Sequence, residues 1–114
     1  MILIIGSAAS GKKEYVKSLG YTDADISCDF HDDRPVLYGL ETIVFADTTL
    51  CDELATVLLS KEVVICCEVG SGIIPAEKGN REAREATGRL CALLAKKADK
   101  VVRLVCGIPI VIKE

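Results

Sequence analysis

Eight residues near the start of the chain have the types and spacing of a loop that binds phosphate. They read Gly6-Ser7-Ala8-Ala9-Ser10-Gly11-Lys12-Lys13, which fits the Gly-x4-Gly-Lys pattern. Two glycines let the backbone turn tightly and approach an anion, so that successive N–H groups point into one concavity. Lys12 adds a positive charge for the terminal phosphates. The pattern predicts that the whole loop contacts phosphate.

The eighth residue of this loop departs from the usual pattern. Ser or Thr normally stands there, and its hydroxyl binds the Mg²⁺ that accompanies a nucleotide; here the residue is Lys13. An ammonium group can hold a phosphate but cannot ligate a metal. Lys13 therefore argues against catalysis through a standard Mg²⁺ site. The plain alternative is an ordinary glycine-containing turn between a strand and a helix.

The composition restricts the partners that the chain can have. Its 114 residues carry a net charge of -3, 4% are aromatic and none is Trp. This balance argues against nucleic acid and anionic membranes as partners. No apolar run approaches the length of a membrane span, and the run at residues 1–5 is too short for a signal peptide. We expect one cytoplasmic domain over residues 1–114.

Apolar runs and helical periodicities alternate along the chain. The predicted strands are 2–5, 42–47, 62–67, 101–106 and 108–112, the predicted helices are 11–19, 50–59 and 76–97, and residues 21–40 are predicted to form a loop with at most one short strand. This order predicts an α/β fold like that of P-loop NTPases. Its sheet is mostly parallel, with helices on both faces and an antiparallel hairpin at the C-terminal end.

Two acids follow predicted strands, where ligands of such sheets bind. Asp47 ends the predicted strand 42–47 and would hold Mg²⁺ directly or through water; the alternative is a cap on the next helix. Glu68 stands between a buried strand and a glycine-rich turn. It could act as a general base or orient metal-bound water, and the alternative is a solvated loop acid.

The C-terminal half resembles one family of nucleotide-dependent transferases. The residues that carry this resemblance are Glu68-Val69-Gly70-Ser71-Gly72-Ile73-Ile74-Pro75, Asn80, Arg81, Arg84, Gly88, Arg89, Leu94-Ala95, Ala98-Asp99-Lys100-Val101, Gly107-Ile108-Pro109 and Ile112-Lys113. Together with the first strand and its loop, they are similar to the cobinamide kinase/cobinamide-phosphate guanylyltransferase family. The stretch from Glu68 to Pro75 is the most specific part.

The resemblance implies a P-loop enzyme of late adenosylcobalamin biosynthesis. Members phosphorylate the aminopropanol hydroxyl of adenosylcobinamide with ATP or GTP, then transfer GMP from GTP to that phosphate through a histidine–GMP intermediate. They form trimers with active sites between subunits. It implies GTP or ATP as the cofactor, cobinamide as a partner and a homo-oligomer, such as a trimer, as the assembly.

Three residues in the middle of the chain become candidates through this resemblance. His31 is the only histidine and the candidate nucleophile, since imidazole can attack phosphorus; the alternative is a solvent-exposed histidine in an acidic loop. Arg34 could pair with a phosphate, and Glu41 is a loose counterpart of a family acid on the sugar side.

Departures from the family keep two other hypotheses open. Family members are longer, and the missing material lies between the first helix and the Glu-Val-Gly stretch. With Lys13, this favours a relative that binds a nucleotide or phosphate without catalysis. The third hypothesis is a protein kept for assembly, with its C-terminal strands and long helix as the interface.

Overall fold

A computed structural model describes residues 1–7, 10–68 and 78–114, with the side chains of the last helix described from residue 81 onward. The strands are β1 (Ile2–Gly6), β2 (Ile26–Ser27), β3 (Val36–Tyr38), β4 (Val63–Cys67), β5 (Lys100–Val105) and β6 (Ile108–Lys113). The helices are α1 (Lys12–Ser18), α2 (Leu40–Ala46), α3 (Cys51–Val57) and α4 (Lys78–Lys97), with 3₁₀ turns at Asp23–Asp25, Thr48–Leu50 and Leu58–Ser60.

The strands form one six-stranded sheet in the order β2-β3-β4-β1-β5-β6. Every pairing is parallel except that of β5 with β6, which is antiparallel. This confirms the predicted fold class. Because β4 and β5 flank β1, the loop after β1 lies in the middle of the edge where the parallel strands end, which we call the carboxyl edge.

Apolar side chains alternate between the two faces of the sheet and build one cluster on each. On one face, Leu3 and Val64 pack with buried residues of α2, α3 and α4, such as Leu90. On the other face, Ile4 and Ile65 pack around Val16 of α1. Helices therefore cover both faces, as predicted.

The predicted strand at 42–47 is wrong, because these residues belong to α2 and its C-cap. Gly39, at φ 81°, begins the helix in the left-handed region that favours glycine. Leu40 and Val44, four residues apart, turn to the core and are fully buried. A short apolar run does not by itself distinguish a strand from a buried helical turn.

The strand beside β4 comes instead from the segment predicted to be mostly loop. Val36–Tyr38 pairs in parallel with β4, and Ile26–Ser27 pairs with β3. Residues 21–40 thus contain two strands rather than at most one. Each is two or three residues long, too short to show the alternation that identifies a strand.

A two-residue turn joins β5 to β6 and touches the loop after β1. Cys106 and Gly107 both have positive φ, at 51° and 78°, as a tight hairpin turn requires; Cys106 was predicted to lie in a strand. The N–H of Gly107 donates to the carbonyl of Ser10 over 2.9 Å. All six residues of β6 are exposed, including Ile108, Ile110 and Ile112.

The six cysteines are free. Cys66 is buried, and its Sγ lies 3.5 Å from the Sγ of Cys91. The hydrogen bond with Cys91, together with burial, raises the pKa of the Cys66 thiol. Within the described part of the chain, no three His, Cys, Asp or Glu side chains are grouped so that they could hold a metal.

Candidate functional site

The loop after β1 folds back on itself at its first glycine. A Cβ on Gly6 would lie 2.5 Å from the hydroxyl of Ser10 and 2.9 Å from the carbonyl of Leu104, so any side chain there would displace the loop. Gly11, at φ 89°, then caps α1. The glycines at both ends of the motif are thus required by the backbone path, as the sequence predicts. Ala8 and Ala9 lie outside the described residues.

Lys12 lies inside this loop and is only 8% exposed. Its Nζ donates to the carbonyl of Ser7 over 2.6 Å. Next to it, the buried hydroxyl of Ser10 has no hydrogen-bond partner among the residues that the structure describes. Among the described residues, the ammonium has one acceptor and the hydroxyl has none, and a bound oxyanion would satisfy both groups.

Lys13 points to β3, which β4 separates from β1. Its Nζ lies 4.7 Å from the ring centroid of Tyr38, the last residue of β3, within the range of a cation–π contact. Tyr38 and residues 10–14 line a hollow of about 180 Å³. Tyr38 is not apparent as a site residue from the sequence, because β3 lies within the segment 21–40 that was predicted to be mostly loop.

Glu41 lies at this edge of the sheet. It is in the first turn of α2, and its Oε1 accepts the N–H of Cys67 over 2.8 Å. Its Oε2 accepts the hydroxyl of Thr42 over 3.1 Å. Because Cys67 pairs with Gly6, Glu41 is fixed one strand away from the phosphate loop.

Glu68 is held by an arginine that the sequence analysis missed. Its N–H donates to the carbonyl of Gly6 over 2.8 Å. Its carboxylate accepts Nε and Nη2 of Arg103 at 2.7 and 3.3 Å. Since β4 and β5 lie on either side of β1, this ion pair spans β1 beside the loop. The available signal was a single charge inside the apolar run Val101-Val102-Arg103-Leu104-Val105.

Asp47 is not at the end of a strand, since the predicted strand 42–47 is helix α2. It caps the 3₁₀ turn that follows, where its Oδ1 accepts the hydroxyl and the N–H of Thr49 at 2.6 and 3.0 Å. These bonds lower the pKa of Asp47. This is the capping alternative that the sequence left open.

The residues beside the loop do not fit a standard Mg²⁺ site. Lys13 stands where a hydroxyl ligand would be expected. Of the acids that the structure describes near the loop, Glu41 and Glu68 are each engaged by a donor, and Glu14 lines the hollow beside Lys12 and Lys13. Lys13 therefore remains the main reason against a standard Mg²⁺ site.

His31 and Arg34 lie in a segment fixed at the opposite end of the sheet. Lys61, just before β4, donates to the carbonyls of Asp32 and Arg34 at 2.6 and 2.7 Å. The guanidinium of Arg34 donates to the carbonyl of Ile26. The ring centroid of His31 lies 4.0 Å from that of Phe30. Within one chain, the structure brings Lys12, Lys13, Glu41 and Glu68 to one edge and leaves His31 and Arg34 near the other.

The comparisons with known proteins add a family to this geometry. No helix among the described residues is long and apolar enough to cross a membrane. A search of curated proteins finds no match to this chain. The model of one family, described as cobinamide kinase / cobinamide phosphate guanyltransferase, matches residues 41–112. The match covers most of the chain, including Glu41, Glu68 and Arg103, although it begins after the phosphate loop. The chain therefore belongs to the cobinamide kinase/cobinamide phosphate guanyltransferase family.

Proposed function

We propose that the chain transfers a phosphoryl or GMP group from GTP or ATP to a cobinamide-type acceptor, with the nucleotide phosphates held in the loop 6–13. The observation that carries the proposal is the buried Lys12 beside the unsatisfied hydroxyl of Ser10. Burying a charge is costly unless it meets a partner, and a phosphate would supply one. The family match supports cobinamide as the acceptor.

In the proposed phosphoryl transfer step, the residues at the carboxyl edge have different roles. Lys12 and the loop amides hold the phosphates and offset their charge. Glu68, held in place by Arg103, accepts the proton of the acceptor hydroxyl. The acceptor oxygen bonds to the γ-phosphorus, the bond from that phosphorus to the bridging oxygen breaks, and the nucleoside diphosphate leaves.

Transfer of GMP through His31 would need a second subunit. Lys61 ties the residues that follow His31 to the amino end of β4, and no contact among the described residues joins His31 to the loop that holds Lys12. We propose that the protein is a homo-oligomer, such as a trimer, in which His31 faces a neighbouring loop. The exposed isoleucines of β6 support an assembly. Sedimentation equilibrium tests it, and a monomer at micromolar concentration contradicts it.

Labelled nucleotides test the proposed reactions separately. With γ-labelled GTP or ATP, label should move to cobinamide, and Lys12→Met should abolish this transfer. With α-labelled GTP, label should remain on the denatured protein, and His31→Ala should remove it. Lys17→Met, a change on the exposed side of α1, is the matched control. Absence of both transfers in the wild-type protein would rule out the enzyme.

A second candidate function is binding of a nucleotide or phosphate without chemistry. Lys13 over the ring of Tyr38 favours it, because this cation stands where a metal ligand would be needed. Calorimetry with GTP and ATP, with and without Mg²⁺, separates the candidates. Nucleotide binding that does not depend on Mg²⁺ and gives no turnover supports a protein that binds without catalysis. In that case, Lys13→Ser should make the nucleotide affinity depend on Mg²⁺.

A further inference from the structure

A second hollow, of about 360 Å³, opens beside Tyr38 at the end of β3. It is lined mainly by Cys28, Tyr38, Thr42, Ile43, Ala46 and Leu50. The hollow exists because β2 is short and ends at Ser27, opposite Leu37 of β3. Beyond that point no strand pairs with the outer side of β3, so one flank of α2 remains uncovered.

Tyr38 joins this hollow to the loop. The same side chain lines both the hollow around Lys12 and Lys13 and the second hollow. On the opposite side of the loop, Gly107 lies against it, with its N–H on the carbonyl of Ser10. Among the described residues, the side toward Tyr38 is therefore the one that leaves room for a group attached to a bound phosphate.

The walls of the second hollow restrict what that group can be. Among the described residues, no charged side chain lines it, and the hydroxyl of Thr42 is used on the carboxylate of Glu41. A nucleobase would find few partners there for its ring nitrogens and carbonyls, and unpaired polar groups are costly to bury. An aliphatic arm has no polar atoms, so its burial in the hollow would leave no hydrogen-bonding atom of the ligand unpaired.

We propose that this hollow binds an uncharged aliphatic arm of the acceptor, whose phosphate or reacting hydroxyl lies in the loop at Lys12 and Lys13. The inference rests on the proposed function, because it assumes that the loop holds phosphate. It adds the place in the fold where the acceptor arm binds.

Hexyl phosphate and inorganic phosphate test this without any turnover. Burying a few methylene groups should make hexyl phosphate bind the wild-type chain at least about tenfold more tightly than inorganic phosphate. Ala46→Trp, at an exposed helix position in the hollow, should remove this difference. Phe45→Trp places the same side chain at the neighbouring exposed position, which does not line the hollow, and should preserve it.

Thr42→Phe serves as a second filling variant if Ala46→Trp does not fold, as judged by circular dichroism. Equal affinities for the two phosphates in the wild-type protein would overturn the inference. So would a filling variant that loses GTP affinity and keeps the preference for hexyl phosphate, because the hollow would then take the base. GTP binding without cobinamide turnover would refute the proposed enzyme, while the alkyl phosphate comparison would still decide the inference.

Discussion

Two buried lysines lie at opposite edges of the sheet, and their environments differ in one respect. Lys12 is 8% exposed and Lys61 is 7% exposed. Lys61 donates to two carbonyls and lies 3.8 Å from the carboxylate of Asp32. Among the described residues, Lys12 donates to one carbonyl, within its own loop. Burial alone therefore does not predict a ligand-binding lysine, and we use the number of donors left without a described acceptor as the criterion.

Replacing Lys61 should have the largest effect on stability. Lys61→Met removes two charge-assisted hydrogen bonds of about 1.5 kcal/mol each, so the free energy of unfolding should fall by about 3 kcal/mol. Urea denaturation measures it, with the exposed Lys17→Met as control. A loss below about 1 kcal/mol would mean that Lys61 does not stabilise the segment 28–35.

Replacing Lys12 should affect binding rather than stability. Lys12→Met should weaken GTP about a hundredfold, or about 2.7 kcal/mol, because a cation at the phosphates is lost. The free energy of unfolding should change by less than about 1 kcal/mol, since one hydrogen bond is removed. Calorimetry and urea denaturation on the same sample give both values. The reverse pattern, with stability lost and affinity kept, would make Lys12 a structural residue like Lys61.

The ion pair between Glu68 and Arg103 should contribute less to the free energy of unfolding than Lys61 does. Arg103 is half exposed, so Arg103→Met should lower the free energy of unfolding by about 1 kcal/mol or less. The rate of cobinamide phosphorylation should fall more than GTP affinity, because Glu68 loses its fixed position. Arg103→Lys should restore only part of the rate, since an ammonium cannot make the paired contact. Unchanged turnover in both variants would contradict a role for this pair.

The smallest predicted effect is the pH dependence of stability that arises from Asp32, near Lys61. Bonds from the hydroxyl of Ser27 and the N–H of Arg34 lower the pKa of Asp32. The resulting stability is present above the unfolded-state pKa near 4 and is lost as pH falls through the lower folded-state value. Asp32→Asn should therefore reduce stability at pH 7 and flatten its decline below pH 4. An acid limb identical to that of the wild-type protein would contradict this.

The parts of the fold that could be predicted carry strong local signals. The loop after β1 has its glycines, α4 has a long apolar stripe, and Cys106-Gly107 separates two apolar runs. The region from Cys28 to Asp47 lacks such signals. There β3 spans three residues, and Ile43-Val44-Phe45 is equally apolar in a strand or a helix.

This single error also displaced part of the site. Placing a strand at 42–47 put Asp47 at the carboxyl edge, whereas the true strand β3 brings Tyr38 there and α2 brings Glu41. The contact between Arg103 and Glu68 depends on which strands flank β1. That strand order is set by tertiary packing, which the local sequence does not show. The placement of Lys12 and Glu68 could be predicted from their own neighbours in sequence, and the structure places both beside the loop after β1.

The bond between Gly107 and Ser10 joins the far end of the chain to its beginning. The hairpin of β5 and β6 therefore supports the loop after β1. Disruption of these strands should alter the position of that loop. A tag, truncation or binding partner that separates β6 from β5 should weaken the proposed binding of nucleotide phosphates, although it alters no residue of the loop itself.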